Sequence, residues 1–208
     1  MQGRIEAGAS LQLLPLGELE VPGKIEIPAK TATEDALVNR YGGGTVVGWT
    51  GDLVEIFFPT LDPARVSSGS ILSPAPVQLS GGVLDTSGSC PVARKFTAKI
   101  LVMDDVKLPV IKGSEVMLHL HCLEVPCMVS KLLGIYETGS ADSGLKPCKP
   151  RMLLKGQRGR VEITLKRGVG MESFEDCKGL GRFVLRRGRE TVGMGVIVET
   201  SIANRAAV

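Results

Sequence analysis

Two clusters of side chains are of a type and spacing that could do chemistry. The first is His119-x-His121-Cys122 together with Cys127. On a strand, His119 and His121 would project to one face, where two imidazoles could converge on a metal. They are the only two histidines of the chain. Cys122 would then point the other way, and a C-x4-C spacing is not one that zinc sites favour. A Cys–His nucleophile would need the same histidines. Cys177 sits among Glu172, Glu175 and Asp176, not in the basic surroundings a reactive thiolate requires. The plainer expectation is a sheet face whose histidines hydrogen-bond or meet an interface.

The second cluster is Gly181-Arg182-Phe183-Val184-Leu185-Arg186, which runs through Gly188 into an apolar stretch. Alternation puts Arg182, Val184 and Arg186 on one face and Phe183 and Leu185 on the other. Gly188 supplies a hairpin turn. A strand that buries Phe and Leu while showing two arginines suits an acidic or anionic partner. Between Lys146 and Arg167 the chain also carries Lys146, Lys149, Arg151, Lys155 and Arg158 among other cations, with Glu162 the one acid. Such a strip could touch RNA phosphate or be a solvated sheet face.

Familiar catalytic loops are missing from the sequence. There is no G-x-x-x-x-G-K-[ST] phosphate cradle, no G-x-G-x-x-G between strand and helix, and no G-x-S-x-G elbow.

The elements that must position these residues are strands. The chain has 208 residues, 26 of them Gly and 12 Pro, too many breakers for long amphipathic helices. Apolar residues make up 43%, enough to bury a core. The net charge of +3 is mild. The 5 cysteines, an odd number without a C-x-x-C, favour reduced thiols and a cytoplasmic setting. The first residues lack a signal-peptide core, and the uncharged run Val66 to Leu84 holds too much Ser, Pro and Gly to be a membrane span.

Phe96, Ala98, Ile100 and Val102 alternate against Lys95, Thr97 and Lys99. Further strands are expected at Glu115 to Cys122, Val125 to Thr138, Met152 to Leu154 and Val161 to Leu165. Turns are expected at Lys112-Gly113-Ser114 and Gln157-Arg158-Gly159. Ahead of them come short strands at Leu11 to Leu16, Val21 to Pro28, Thr45 to Gly48 and Leu53 to Phe58. Even spacing of short strands predicts an all-β protein of two antiparallel β-barrels. Breaker density places the first in residues 1–77, a linker in 78–91 and the second in 92–202.

Several motifs together resemble the elongation factor 1-alpha-like translational GTPases. Leu180-Gly181-Arg182-Phe183-x-Leu185-Arg186 followed by Thr191-Val192-x-x-Gly195-Val196-Ile197 resembles the end of that family's domain three. Phe96-x-Ala98-x-Ile100, Pro109-Val110-Ile111-x-Gly113 and Met117-Leu118-His119 resemble its start. Gly3-Arg4-Ile5-Glu6-Ala7-Gly8, Thr50-Gly51-Asp52-x-Val54 and Ser68-Gly69-x-Ile71-Leu72 resemble domain two. Within the family, the Leu-His-x-His strand and Lys149-Pro150-Arg151-Met152-Leu153-Leu154-Lys155-Gly156-Gln157 are most similar to the Hbs group, with the GTP-carrying class II release factor as runner-up.

The resemblance implies a non-catalytic binding module of a ribosome-rescue and mRNA-surveillance factor. Its third domain would dock a Pelota/Dom-like decoding partner through Gly181, Arg182, Phe183, Leu185 and Arg186. A class I release factor is the alternative partner, and an exosome–Ski adaptor the alternative role. The ribosome is an implied partner; a membrane and DNA are not. GTP and Mg²⁺ would belong to the family's GTPase domain, whose motifs this chain lacks, so no cofactor is expected here. Domain two's usual opening strand is also missing, which predicts an open edge and less regular structure over residues 1 to about 45.

Overall fold

The computed structural model describes residues 4–26, 47–78, 84–85, 88–136, 145–146 and 150–202. The chain divides into two compact units, Met1–Ser89 and Cys90–Val208.

The first unit is built from very short strands. Arg4–Ile5 pairs with Gly48–Trp49, and Lys24–Glu26 with Glu55–Phe57. Leu11–Leu14 lies between Glu18–Glu20 and Ile71–Pro74. Val77–Gln78 pairs with Leu84–Asp85. Asp62 caps a 3-10 turn, Pro63–Arg65, by accepting from the Ala64 N–H. Leu11, Leu13, Leu14 and Ile25 are buried. Two of the strands are cut by breakers: Pro15 follows Leu11–Leu14, and Pro22-Gly23 delay the start of Lys24–Glu26. Among the described residues these strands form separate small sheets, not a closed wall. Residues 27–46, on which much of the expected irregularity falls, lie outside the described residues.

The second unit is a barrel of six long strands: β1 (Val92–Val102), β2 (Glu115–Leu120), β3 (Leu123–Tyr136), β4 (Arg158–Gly170), β5 (Arg182–Arg187) and β6 (Glu190–Ile202). They neighbour one another in the order β2–β5–β6–β1–β4–β3, all antiparallel, and β3 pairs back with β2. The wall therefore closes and leaves no free edge among its six strands.

Period-two burial explains why these segments are strands. Phe96, Ala98, Ile100 and Val102 of β1 point inward and are buried, as are Val116, Leu118 and Leu120 of β2. The rings of Phe96 and Phe183 meet edge-on, with centroids 5.5 Å apart. Two local expectations are corrected. The turn before β4 spans residues 154–157, where the Gln157 N–H donates to the Leu154 carbonyl, so Arg158 and Gly159 already belong to the strand. The β2 strand ends at Leu120 opposite Leu123, and His121-Cys122 form a two-residue turn with His121 at φ 42°.

Candidate partner-binding surface

The β5 strand carries the arginines of interest because its alternation survives folding. Phe183 and Leu185 lie in the barrel core at 3% and 0% exposure, while Arg182 is exposed and Arg186 half-buried on the outside. Gly188, at φ +58°, turns the chain into β6. Gly181 is buried for steric reasons: a Cβ there would stand 2.4 Å from the Phe174 Cα, a backbone atom that cannot swing aside. The Ile197 N–H donates to the Gly181 carbonyl at 2.8 Å, and the Phe174 N–H to the Ile197 carbonyl at 2.9 Å. This stitching lays the 170s loop against the start of β5.

Arg182 is held in two ways. Its Nε donates to the Lys178 carbonyl at 3.0 Å, and its guanidinium lies 5.7 Å from the centre of the Phe174 ring. Among the described residues no carboxylate pairs with Arg182 or Arg186, and Arg186 Nε and Arg187 Nη1 are buried without a hydrogen-bond partner.

Outward side chains of the barrel enclose a groove of about 640 Å³ beside Arg182. Leu101, Val184, Met194 and Val196 give it an apolar floor. Lys99, Arg158 and Arg182 bring positive charge to it, and none of the described residues that line it is a carboxylate. The Lys99 ammonium lies 5.8 Å from the centre of the Tyr136 ring, at the groove's margin. His119 and His121 line it too, brought together by the hairpin turn and not by strand alternation. His119 Nδ1 lies 3.4 Å from Glu124 Oε1 across the β2–β3 ladder. Burial holds the His121 imidazole below its ordinary pKa and favours the neutral form. An apolar floor beside cations has the chemistry to suit an acidic chain that also carries apolar side chains.

The metal and thiol chemistry does not assemble. Cys127 is 3% exposed inside the barrel, Cys122 is exposed on the turn, and among the described residues no group of three or more His, Cys, Asp or Glu is placed to hold a metal ion. Burial pushes the Cys127 and Cys90 thiols up to about 12, which keeps both protonated at neutral pH.

The basic strip is split by the fold. Arg158 lines the groove, whereas exposed Arg151 and Lys155 do not. Lys146 lies on the short Leu145–Lys146 strand, and Lys149 lies outside the described residues. Sequence inspection passes over the groove floor. Its signal is that Leu101, Val184 and Met194 occupy outward positions where an antiparallel wall ordinarily shows polar groups.

The fold is similar to that of a solved structure of sup35 complexed with GMPPNP, with a TM-score of 0.74 and 20% identity, covering 96% of this chain and 42% of the other. The closed antiparallel β-barrel is thus a fold that the two proteins share. Residues 95–198, half of the chain, match the GTP-eEF1A C-terminal domain-like family, and the chain belongs to that family. Among curated relatives, Protein HBS1 of Drosophila melanogaster is 31% identical over 73% of this chain and 20% of its own length. The eukaryotic peptide chain release factor GTP-binding subunit of Kluyveromyces lactis is 31% identical over 59% of this chain and 17% of its own. The chain thus spans about a fifth of these relatives. No helix among the described residues is long and apolar enough to cross a membrane.

Proposed function

We propose that this chain is the domain-two and domain-three module of an Hbs-like translational GTPase, non-catalytic in itself, which docks a Pelota-type decoding partner at the ribosome during rescue and mRNA surveillance. The observation that carries the docking site is the groove beside β5, whose described lining sets an apolar floor beside Arg158 and Arg182. Arg182 and Arg186 pair with partner carboxylates. Gly181 sets the approach of the 170s loop to β5, and Phe183 and Leu185 anchor the strand from inside. The likeness to the fly HBS1 protein supports the Hbs assignment. GTP and Mg²⁺ are handled by a separate GTPase domain, and the work is cytoplasmic. Residues 1–77 supply the domain-two part, 78–91 the linker and 92–202 the domain-three part.

A pull-down with Pelota, a class I release factor and exosome subunits as competing baits tests this. Wild-type chain retains Pelota, and Arg182→Ala with Arg186→Ala weakens retention at least about tenfold, as for interface anchors worth 1.4 kcal/mol or more. Retention of the class I release factor instead would move the chain to the release-factor branch, which the Kluyveromyces relative favours. Retention of exosome subunits alone would make it an adaptor.

A further inference from the structure

The chain contains 2 histidines, and both line the groove beside β5. They reach it by different routes. His119 stands on β2 directly opposite Val184 of β5, and Arg182 and Arg186 flank Val184 on that strand. His121 belongs to the two-residue turn after β2 and adopts φ 42°. That is the left-handed region, which Gly or Asn enters more readily. Backbone outliers of this kind gather at functional sites. This one sets an imidazole at the groove's edge.

The charged and titratable groups around the two imidazoles come from every strand but β6. Glu124 of β3 lies 3.4 Å from His119 Nδ1, and its side chain is 68% exposed. Lys99 of β1, Arg158 of β4, Arg182 of β5 and Tyr136 of β3 share the lining, whereas β6 adds only Met194, Gly195 and Val196. On β2 the other ionisable residue is Glu115, at its far end, and Cys122 shares the turn with His121. Among the described residues no carboxylate pairs with His121. Burial favours its neutral form in the free chain. Proton uptake beside these cations becomes favourable once carboxylates stand opposite them. A partner that brought only apolar side chains would do the reverse, because further burial lowers an imidazole pKa.

On the docking reading above, we infer that docking at this groove is proton-linked: His119 and His121 take up protons as the acidic side chains of the Pelota-type partner arrive, so the contact tightens as pH falls. Docking then raises the imidazole pKa above its value in the free chain. The added affinity is full below the free value, which for His121 lies under about 6.5, and is lost as pH rises through the value in the complex. A rise of one unit in one imidazole is a factor of about ten in the binding constant. Guanidinium groups keep their charge across this range. The arginines therefore supply affinity, and the histidines supply its dependence on pH. The Cys90 and Cys127 thiols, pushed up to about 12, do not titrate there.

Calorimetric titration of a Pelota-type protein into the full chain at about pH 6 and about pH 8, in buffers of different ionisation heat, tests the inference. Wild type should gain at least about fivefold more affinity on acidification than His119→Gln with His121→Asn, and should take up protons on binding where the variant does not. Titratable groups of the partner contribute to both chains alike and cancel. Asn accepts the left-handed turn, so the variant keeps its backbone. A second measurement needs no variant. With the wild-type chain labelled only at its histidines, NMR follows each imidazole as pH is stepped, and an imidazole midpoint should rise when the partner is added. A pH effect no larger than the variant's, tighter wild-type binding at the higher pH, or imidazole midpoints that stay or fall would overturn the inference and leave the docking reading standing. No binding at either pH would overturn both.

Discussion

Two stretches of the same barrel wall use charge in opposite ways. Across β1, β4 and β3, Glu162 stands between Lys95 at 3.1 Å and Lys131 at 3.3 Å, and the hydroxyls of Ser130 and Thr164 are 2.5 Å apart. These side chains meet complements on the neighbouring strands, although Arg160 Nε of the same wall is buried without a hydrogen-bond partner. Across β5, β6 and β1, the described residues that line the groove give an apolar floor with cations beside it and include no carboxylate. One barrel and one period-two pattern thus give a wall finished by cross-strand ion pairs and a wall whose Arg182, among the described residues, meets a backbone carbonyl and an aromatic ring but no carboxylate. Exposure does not separate the two; what separates them is whether cross-strand neighbours have opposite charge.

The largest expected effect removes the frame that both walls share. Leu185 is fully buried, and Leu185→Ala should cost about 2–5 kcal/mol of unfolding free energy through lost transfer and a cavity. Urea denaturation would show a lower midpoint for the whole barrel. A near-neutral result would mean that β5 is not a core strand.

Gly181→Ala is the next largest. The new methyl meets the Phe174 backbone, and relief requires the 170s loop to move, at about 1–3 kcal/mol. Because Phe174 and Lys178 hold Arg182, partner binding should fall along with stability, measured by thermal melting and titration on one preparation.

Glu162→Gln touches only the finished wall and should cost about 1 kcal/mol or less, as partly exposed ion pairs do. Burial works against the charged form, but Lys95 and Lys131 override it and hold the Glu162 carboxyl below its usual range. A depressed carboxyl contributes stability above its ordinary pKa and loses it as pH falls through the folded value. The difference between wild type and variant should therefore shrink in acid below about pH 4, which unfolding curves at stepped pH would record.

The smallest effect belongs to the histidine turn. With the His121 pKa lowered by burial, the unfolded state binds the proton more readily. Stability is full above about pH 6.5 and declines as pH falls through that value toward the lower folded pKa. His121→Asn, which also tolerates the positive φ, should flatten that slope while leaving stability at pH 8 nearly unchanged.

Much of the barrel was legible in the sequence because inward and outward residues alternate cleanly in β1, β2 and β5. The closure of β3 onto β2 was expected only in general terms, since strand order depends on contacts far apart in the chain. The turn at His121-Cys122 was missed because Leu120-His121-Cys122-Leu123 contains none of the Gly, Pro, Asn or Asp that usually mark one. The basic strip looked continuous in the sequence, yet the turn at residues 154–157 sends Arg158 to the groove and leaves Lys155 elsewhere. The arginines and buried neighbours of β5 were readable from alternation. The floor they border was not, because Leu101, Val184 and Met194 come from three strands and converge only when the wall is built.

The central claim, that the outer face of β5 awaits a partner while the Glu162 wall does not, is tested most directly by titrating a Pelota-type protein calorimetrically into two matched double variants. Arg182→Ala with Arg186→Ala should weaken binding at least about tenfold, and Lys95→Ala with Lys131→Ala should leave it at the wild-type value. Equal affinities for both variants, or a loss confined to the lysine pair, would contradict the account.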